Sequence, residues 1–115
     1  MEAYRQKKGK WGESVAADFL AARGFDILER NYRSRFGEID IIASKEEVIH
    51  FIEVKTRRGK DWGYPLEAIT PGKLGHIRRT AQFYLYCNAL EDAEVSIDGL
   101  GICGGEIDFV EGISM

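Results

Sequence analysis

Apolar residues recur at helical spacing near the start of the chain and predict a first helix from Trp11 to Arg23. Gly24 follows directly and supplies the left-handed conformation at which helices commonly end. The apolar stripe consists of Val15, Ala16, Phe19 and Leu20. The pattern therefore indicates a helix that buries one side.

Three strands are predicted after this helix. Phe25 to Arg33 has the weakest strand pattern of the three. Gly37 to Ala43 and Val48 to Thr56 are rich in Ile and Val, and they flank a polar stretch from Ser44 to Glu47. Two such runs on either side of a short polar stretch predict a β-hairpin.

The second half of the chain begins with a predicted loop from Arg57 to Ile69, because this stretch combines glycines, a proline and scattered charges. Thr70 and Pro71 then resemble an N-cap followed by proline at the first helical position, which predicts a second helix. Two late strands are predicted from Val95 to Cys103 and from Ile107 to Val110. The apolar stripe of the second helix consists of Leu74, Ile77, Ala81, Tyr84 and Leu85.

Length and composition indicate one domain over residues 1–115, since 44% of the residues are hydrophobic and two ordinary domains would need more chain. No export signal or membrane-spanning run is evident in the sequence, so we expect a cytoplasmic protein that does not use a membrane partner. Two cysteines and two histidines without paired spacing do not make a structural zinc site.

The net charge of −3 at first argues against a nucleic-acid partner. The distribution of charge changes this view. All 16 Lys and Arg lie before residue 80 together with 12 of the 19 acids, whereas the last 36 residues carry seven acids and no Lys or Arg. One domain can therefore present a basic face and an acidic face, although an even spread over the surface is an open alternative.

Side-chain alternation in the hairpin brings candidate catalytic residues to one face of the sheet. It places Glu38, Asp40 and Ile42 together, opposite Ile39 and Ile41. In the second strand it places Glu53 and Lys55 on one face with Ile49 and Phe51. If the hairpin closes symmetrically over residues 44–47, Asp40 lies diagonal to Glu53, and a two-residue slip puts them directly opposite. Both registers leave the two carboxylates close enough to share one divalent cation.

Clustered carboxylates on a half-buried sheet face repel one another unless a cation or protons neutralise them. Oxygen ligands favour Mg²⁺ or Mn²⁺, so Asp40 and Glu53 are candidate metal ligands, with Glu38 beside them. Lys55 could orient or deprotonate an attacking water and offset charge on phosphorus. The alternative is a surface ion pair between Lys55 and Glu53. Glu13 is a further candidate ligand, since it lies at the rim of the helical stripe, although it could simply complement the helix dipole.

Several motifs together give the chain a family resemblance. They are Gly9-x-x-Gly12-Glu13-x-x-Ala16, Gly24-Phe25, Arg30-Asn31-Tyr32-Arg33, Gly37-Glu38-Ile39-Asp40-Ile41-Ile42, Phe51-Ile52-Glu53-Val54-Lys55-Thr56-Arg57 and Lys73. With them the chain resembles the YraN family of small bacterial endonuclease-like proteins. That family belongs to the PD-(D/E)xK nuclease superfamily and is similar to archaeal-type Holliday-junction resolvases. The tail departs from the family pattern at Ser96-Ile97-Asp98 and at Gly104-Gly105.

The resemblance implies an α/β fold with a restriction-endonuclease-like αβββαβ core, a mixed sheet flanked by helices. It implies that Asp40 and Glu53 are metal ligands, that Lys55 is the catalytic lysine and that Glu13 is the helical acid. The expected activity is metal-dependent hydrolysis of DNA, at branched or damaged structures. The alternatives are a nucleic-acid-binding or DNA-repair accessory protein that has lost turnover, and a nuclease acting on RNA.

A basic track is expected to follow the phosphates around the site. Its members would be Arg57, Arg58, Lys60, Lys73, Arg78 and Arg79. One small domain offers little surface for gripping a DNA junction, so a homodimer is also considered, although the sequence identifies no dimer face.

Overall fold

The computed structural model describes residues 2–57 and 69–113, with side chains from Trp11 onward. Its elements are α1 (Glu2–Ala22), β1 (Asp26–Ser34), β2 (Gly37–Lys45), β3 (Val48–Arg57), α2 (Pro71–Cys87), β4 (Glu94–Cys103) and β5 (Glu106–Val110). The strands form one sheet in the order β1-β2-β3-β4-β5, in which β3 and β4 are parallel and the other neighbours antiparallel. The predicted αβββαβ core with a mixed sheet is confirmed, and β5 extends it.

Helix α1 begins earlier than predicted. It starts at Glu2, whereas the apolar pattern starts only at Trp11, because the residues before Trp11 are mostly polar and charged. Its end agrees with the prediction: Gly24 has φ +91°, and the amides of Gly24 and Phe25 bond to the carbonyls of Ala21 and Leu20.

The hairpin between β2 and β3 is tighter than the symmetric closure over residues 44–47. Lys45 pairs with Val48, so the turn consists of Glu46 and Glu47 alone, both at positive φ. Two left-handed residues are typical of the type I′ turn, whose twist suits a two-residue hairpin. Ile42 pairs with Phe51 as a result, which is the slipped register of the two that the sequence left open.

The predicted alternation in β2 is wrong on one side of Asp40. Ile41 packs in the core under α1, whereas Ile39 packs in the core under α2, although both were expected on one face. The pairing recorded between β2 and β3 ends at Ile41 and Ile52, and Asn31 on the other neighbouring strand has φ +56°. Both irregularities flank Asp40, so the backbone departs from a regular strand where this acid lies.

The two helices cover opposite faces of the sheet. Helix α1 packs on one core that includes Ala16, Leu20, Ile41 and Ile52, and helix α2 packs on the other. The second core includes Ile42, Phe51, Ile77, Ala81 and Tyr84. In the described part of the chain, neither helix is long and apolar enough to cross a membrane.

The start of α2 agrees with its sequence signals. The Thr70 hydroxyl accepts a hydrogen bond from the Lys73 amide at 3.3 Å, and Pro71 begins the helix. The predicted loop before it is shorter, because Arg57 still belongs to β3. The remainder of that loop, residues 58–68, lies outside the described residues, and with it Arg58 and Lys60.

Candidate active site

Asp40 and Glu53 meet where β2 separates from β3. Ile41 and Ile52 form the last backbone pair between these strands. Beyond this pair, Asp40 Oδ2 accepts a hydrogen bond from the Val54 amide at 2.7 Å. This hydrogen bond from the neighbouring strand therefore fixes the carboxyl group of Asp40 beside Glu53. The two carboxyl groups lie close enough for each to change the pKa of the other.

Burial is the main cause of the unusual acidity of this pair. It raises the pKa of Asp40, although the hydrogen bond from the Val54 amide opposes the change. It also raises the pKa of Glu53 to about 7, and the neighbouring charge of Asp40 acts in the same direction. The desolvated carboxyl groups therefore hold a proton to a higher pH than free acids do. A cation placed between them would take over the role of that proton.

Lys55 lies on the same strand as Glu53, two residues further along. Its Nζ is 3.4 Å from Glu53 Oε1, and the side chains of Lys55 and Glu53 are 20% and 15% exposed. The contact is thus mostly shielded from solvent rather than a pair on an open sheet surface. The structure brings together Asp40, Glu53 and Lys55, the three residues that the sequence placed at the centre of the site.

Glu13 approaches this cluster from α1 without joining it. Gly12 precedes it and lies against β3 so closely that a Cβ there would be 2.9 Å from Thr56 Cγ2. Burial raises the pKa of Glu13, as does the charge of Asp40, while Arg30 opposes the change. Among the described residues no three His, Cys, Asp or Glu side chains form a group that could hold a metal ion. Glu13 is therefore at the rim, within electrostatic range of Asp40.

Glu38 is also at the rim rather than in the cluster. Its carboxylate contacts Arg33 Nε at 3.1 Å, and its side chain is 58% exposed. Arg30 donates a hydrogen bond to Ser14 on α1 at 3.0 Å. The Arg30 to Arg33 motif thus places two arginines beside the acids, where the sequence had assigned them no role. The charges of both arginines lower the pKa of Glu13.

The predicted basic track has three described positions on α2. Arg78 and Arg79 are exposed along the helix, whereas Lys73 is in its first turn. The neighbouring Lys55 side chain lowers the pKa of Lys73. Arg57 bonds to the carbonyl of Thr56 at 2.8 Å. Lys73 was expected on the track, and its electrostatic proximity to Lys55 was not predicted.

A second polar cluster was also missed. It joins β3, β4 and the chain after β5: Asp98 Oδ2 is 2.6 Å from His50 Nδ1, and its Oδ1 accepts from the Ser96 hydroxyl at 2.6 Å and the Gly112 amide at 3.0 Å. Asp98 is fully buried, and the His50 ring contacts Phe25 edge-to-face. The tail sequence that departs from the family pattern thus forms a structural cluster.

The αβββαβ core with a mixed sheet is the fold that the resemblance implied. The model of Uncharacterised protein family UPF0102 matches residues 12–111, and the chain belongs to this family. This confirms the resemblance to the YraN family.

Similar proteins named UPF0102 protein cover most of the chain. One from Syntrophomonas wolfei is 44% identical over 94 residues, which are 82% of each chain. One from Dictyoglomus turgidum is 45% identical over 94 residues, 82% of this chain and 80% of its own. One from Campylobacter hominis is 43% identical over 110 residues, 95% of each chain. These relatives establish the family.

Proposed function

We propose that the protein is a metal-dependent nuclease that hydrolyses phosphodiester bonds in DNA. The observation that carries the proposal is the close pair of half-buried acids, Asp40 held by the Val54 amide and Glu53 in contact with Lys55. Two desolvated acids close together weaken the fold. Acids whose pKa values are perturbed in this way concentrate at functional sites. A lysine beside them adds the positive charge that phosphate chemistry requires.

The residues fit a divalent cation that prefers oxygen ligands. Asp40 and Glu53 supply carboxylate oxygens, burial raises the pKa of both so that a neighbouring cation would favour their charged forms, and Glu13 is within electrostatic range of Asp40. Mg²⁺ or Mn²⁺ is the proposed cofactor, held by Asp40 and Glu53, with Glu13 as the added ligand. When bound, such an ion polarises a phosphoryl oxygen and lowers the pKa of a coordinated water.

The chain's own residues perform the rest of the reaction. In the hydrolysis a water oxygen bonds to phosphorus, one ester P–O bond breaks, and the water proton ends on the leaving oxygen. The Lys55 ammonium, held by Glu53, orients the water or offsets the negative charge that develops on the phosphoryl oxygens. The Val54 amide holds Asp40 in place, so the carboxyl group of Asp40 is oriented before the substrate binds.

DNA binding follows from the distribution of positive charge. Arg78 and Arg79 on α2 and Arg57 at the end of β3 are proposed to contact phosphates next to the site, together with Lys73 and with Arg58 and Lys60, which lie outside the described residues. A homodimer and a preference for branched or damaged DNA belong to the same proposal, as does a cytoplasmic location. The alternative is an accessory protein that binds nucleic acid without cleaving it, and for it the intact acid pair would have no use.

The test is cleavage of labelled linear, nicked, flapped and four-way DNA with Mg²⁺, Mn²⁺ or EDTA, beside the same panel in RNA. We expect metal-dependent cleavage of at least one DNA and its loss in Lys55→Ala, with binding affinity nearly unchanged. Arg78→Ala with Arg79→Ala should instead weaken binding and reduce its salt slope by roughly one unit per lost phosphate contact. Binding without cleavage of any substrate would favour the accessory protein.

A further inference from the structure

An open cavity of about 480 Å³ lies where α1 ends and β2 reaches its last residue. It is lined by Arg23, Phe25, Lys45, Phe109 and Glu111, none of which belongs to the candidate active site. Lys45 is five residues along β2 from Asp40, a distance of about 17 Å at the usual rise of a strand. Cavities that hold small molecules have volumes of roughly 300 to 1,000 Å³, so this one has room for a ligand.

The two cations of the cavity have aromatic rings beside them rather than acids. The guanidinium carbon of Arg23 lies 4.2 Å from the centre of the Phe19 ring, and Lys45 Nζ lies 5.1 Å from the centre of the Phe25 ring. Neither cation forms an ion pair with a residue in the described part of the chain. Because attraction to a ring is weaker than a charge-assisted hydrogen bond to a phosphate oxygen, both side chains favour an anion in the cavity.

The remaining residues give the cavity an apolar wall and one strong acceptor. Phe25 is buried and Phe109 half-buried, and their rings meet edge-to-face with centres 5.7 Å apart. Glu111 is exposed and directly precedes Gly112, whose amide donates to Asp98 Oδ1 at 3.0 Å. The buried Asp98 cluster therefore also holds in place the segment that carries Glu111.

We propose that this cavity binds a nucleoside monophosphate, either free or as the phosphorylated end of a DNA strand. Arg23 can donate two hydrogen bonds to one phosphate, and Lys45 adds a second positive charge. Phe109 offers apolar surface to the base, and Glu111 accepts a hydrogen bond from an amino or hydroxyl group. Two cations and one acid leave a net charge of +1, which suits one phosphate better than a polyphosphate. The proposal does not rest on the proposed nuclease function.

The test is titration of the protein with deoxyadenosine monophosphate in EDTA, which excludes binding of the phosphate to a divalent cation at the acid pair. Calorimetry gives Kd, and amide NMR spectra should show shifts at Lys45 and Phe109. Arg23→Gln and Lys45→Gln should each raise Kd about tenfold, the effect of losing one charge-assisted hydrogen bond. The matched control is Arg35→Gln, because Arg35 also lies over a ring, that of Phe36 at 4.9 Å, but does not line the cavity. Its Kd should equal that of the wild type.

Comparison ligands identify what the cavity recognises. Deoxyadenosine lacks the phosphate and inorganic phosphate lacks the nucleoside, so both should bind at least about tenfold more weakly than the monophosphate. A dinucleotide with a 5′ phosphate should bind at least as tightly as the monophosphate if the ligand is a strand end, and more weakly if it is a free nucleotide.

Three results would overturn the proposal: no binding of either nucleotide by the wild type, equal Kd values for inorganic phosphate and the monophosphate, or an unchanged Kd in both Arg23→Gln and Lys45→Gln. None of these measurements requires turnover. A protein that binds the monophosphate but cleaves no nucleic acid would therefore contradict the proposed nuclease function alone.

Discussion

Asp98 and Asp40 are acids in neighbouring regions of one sheet, but their surroundings differ. Asp98 is fully buried and receives three hydrogen bonds, from His50, Ser96 and Gly112. Asp40 receives one from the Val54 amide, and its other partner is a second acid, Glu53. Hydrogen-bond donors therefore surround Asp98, whereas Asp40 faces a second acid.

This difference separates a structural cluster from a functional one. Buried polar groups that are fully paired fix the chain: the Asp98 cluster ties β3, β4 and the residues after β5 together. A pair of acids whose pKa values are raised by burial costs stability and contributes no comparable restraint. Such a pair persists where it is used, so the contrast with Asp98 supports the choice of Asp40 and Glu53 as the candidate site.

The largest expected effect is on cleavage by Asp40→Asn. This variant loses a proposed metal ligand, so its cleavage rate should fall by roughly 10³-fold or more. Its melting temperature in EDTA at pH 8 should be unchanged or higher, because the repulsion with Glu53 is removed. Single-turnover cleavage and thermal melts measure both effects, and Asp26→Asn, an exposed acid at the start of β1, is the control. A strongly destabilised Asp40→Asn would contradict the functional assignment.

Asp98→Asn should produce the opposite result. It leaves His50 beside a neutral amide and replaces a carboxylate oxygen with an amide nitrogen, so we expect a loss of about 3 kcal/mol in unfolding free energy. Urea titration measures this loss, with Asp108→Asn on the exposed side of β5 as the control. Cleavage below the melting temperature should be retained. A variant as stable as the wild type would mean that the Asp98 cluster is not structural.

Much of the fold could be predicted from the sequence, because the elements that form it carry local signals. Helix stripes, the Gly24 stop and the Thr70-Pro71 start depend on residues close in sequence. The register of the hairpin could not be decided, since it depends on whether Glu46 and Glu47 adopt positive φ, which their side chains do not favour. The break in side-chain alternation at Asp40 could not be predicted either, because it accompanies irregularities in the two neighbouring strands.

The site was predictable in part for a related reason. Asp40, Glu53 and Lys55 lie on paired strands whose spacing in sequence already brings them close. The proximity of Lys73 to Lys55 depends on where α2 begins, and the pairing of His50 with Asp98 depends on the parallel contact between β3 and β4. Neither long-range relation leaves a local pattern in the sequence, so neither was predicted.

Divalent cations should distinguish the two clusters by stability. If Mg²⁺ or Mn²⁺ binds the acid pair, the folded state gains about 1.4 kcal/mol at a concentration ten times Kd, and the melting temperature rises by several degrees. The rise should be retained in Asp98→Asn, from its lower starting point, and should be much smaller in Asp40→Asn. Differential scanning calorimetry over a range of Mg²⁺ concentrations measures it. Equal rises in all three proteins would place the cation elsewhere.

The smallest expected effect is the pH dependence of stability without metal. The pKa of Glu53 is raised from 4.5 in the unfolded chain to about 7, so between these values the folded state binds more protons than the unfolded state. Stability from this group is therefore complete below pH 4.5 and falls as the pH rises towards 7. Asp40 and Glu13, whose pKa values are also raised, act in the same direction.

We expect the melting temperature of the metal-free protein in EDTA to fall by roughly 3 to 8 °C between pH 5 and pH 7.5 through this linkage. Glu53→Gln cannot titrate, so its melting curve should vary less over the same interval and should exceed the wild type most at the high end. Glu111→Gln, an exposed acid after β5, should follow the wild-type curve. If the melting temperature of Glu53→Gln changed with pH as steeply as that of the wild type, the protons responsible would bind to other groups. The acid pair would then lack the raised pKa values that distinguish it from the Asp98 cluster.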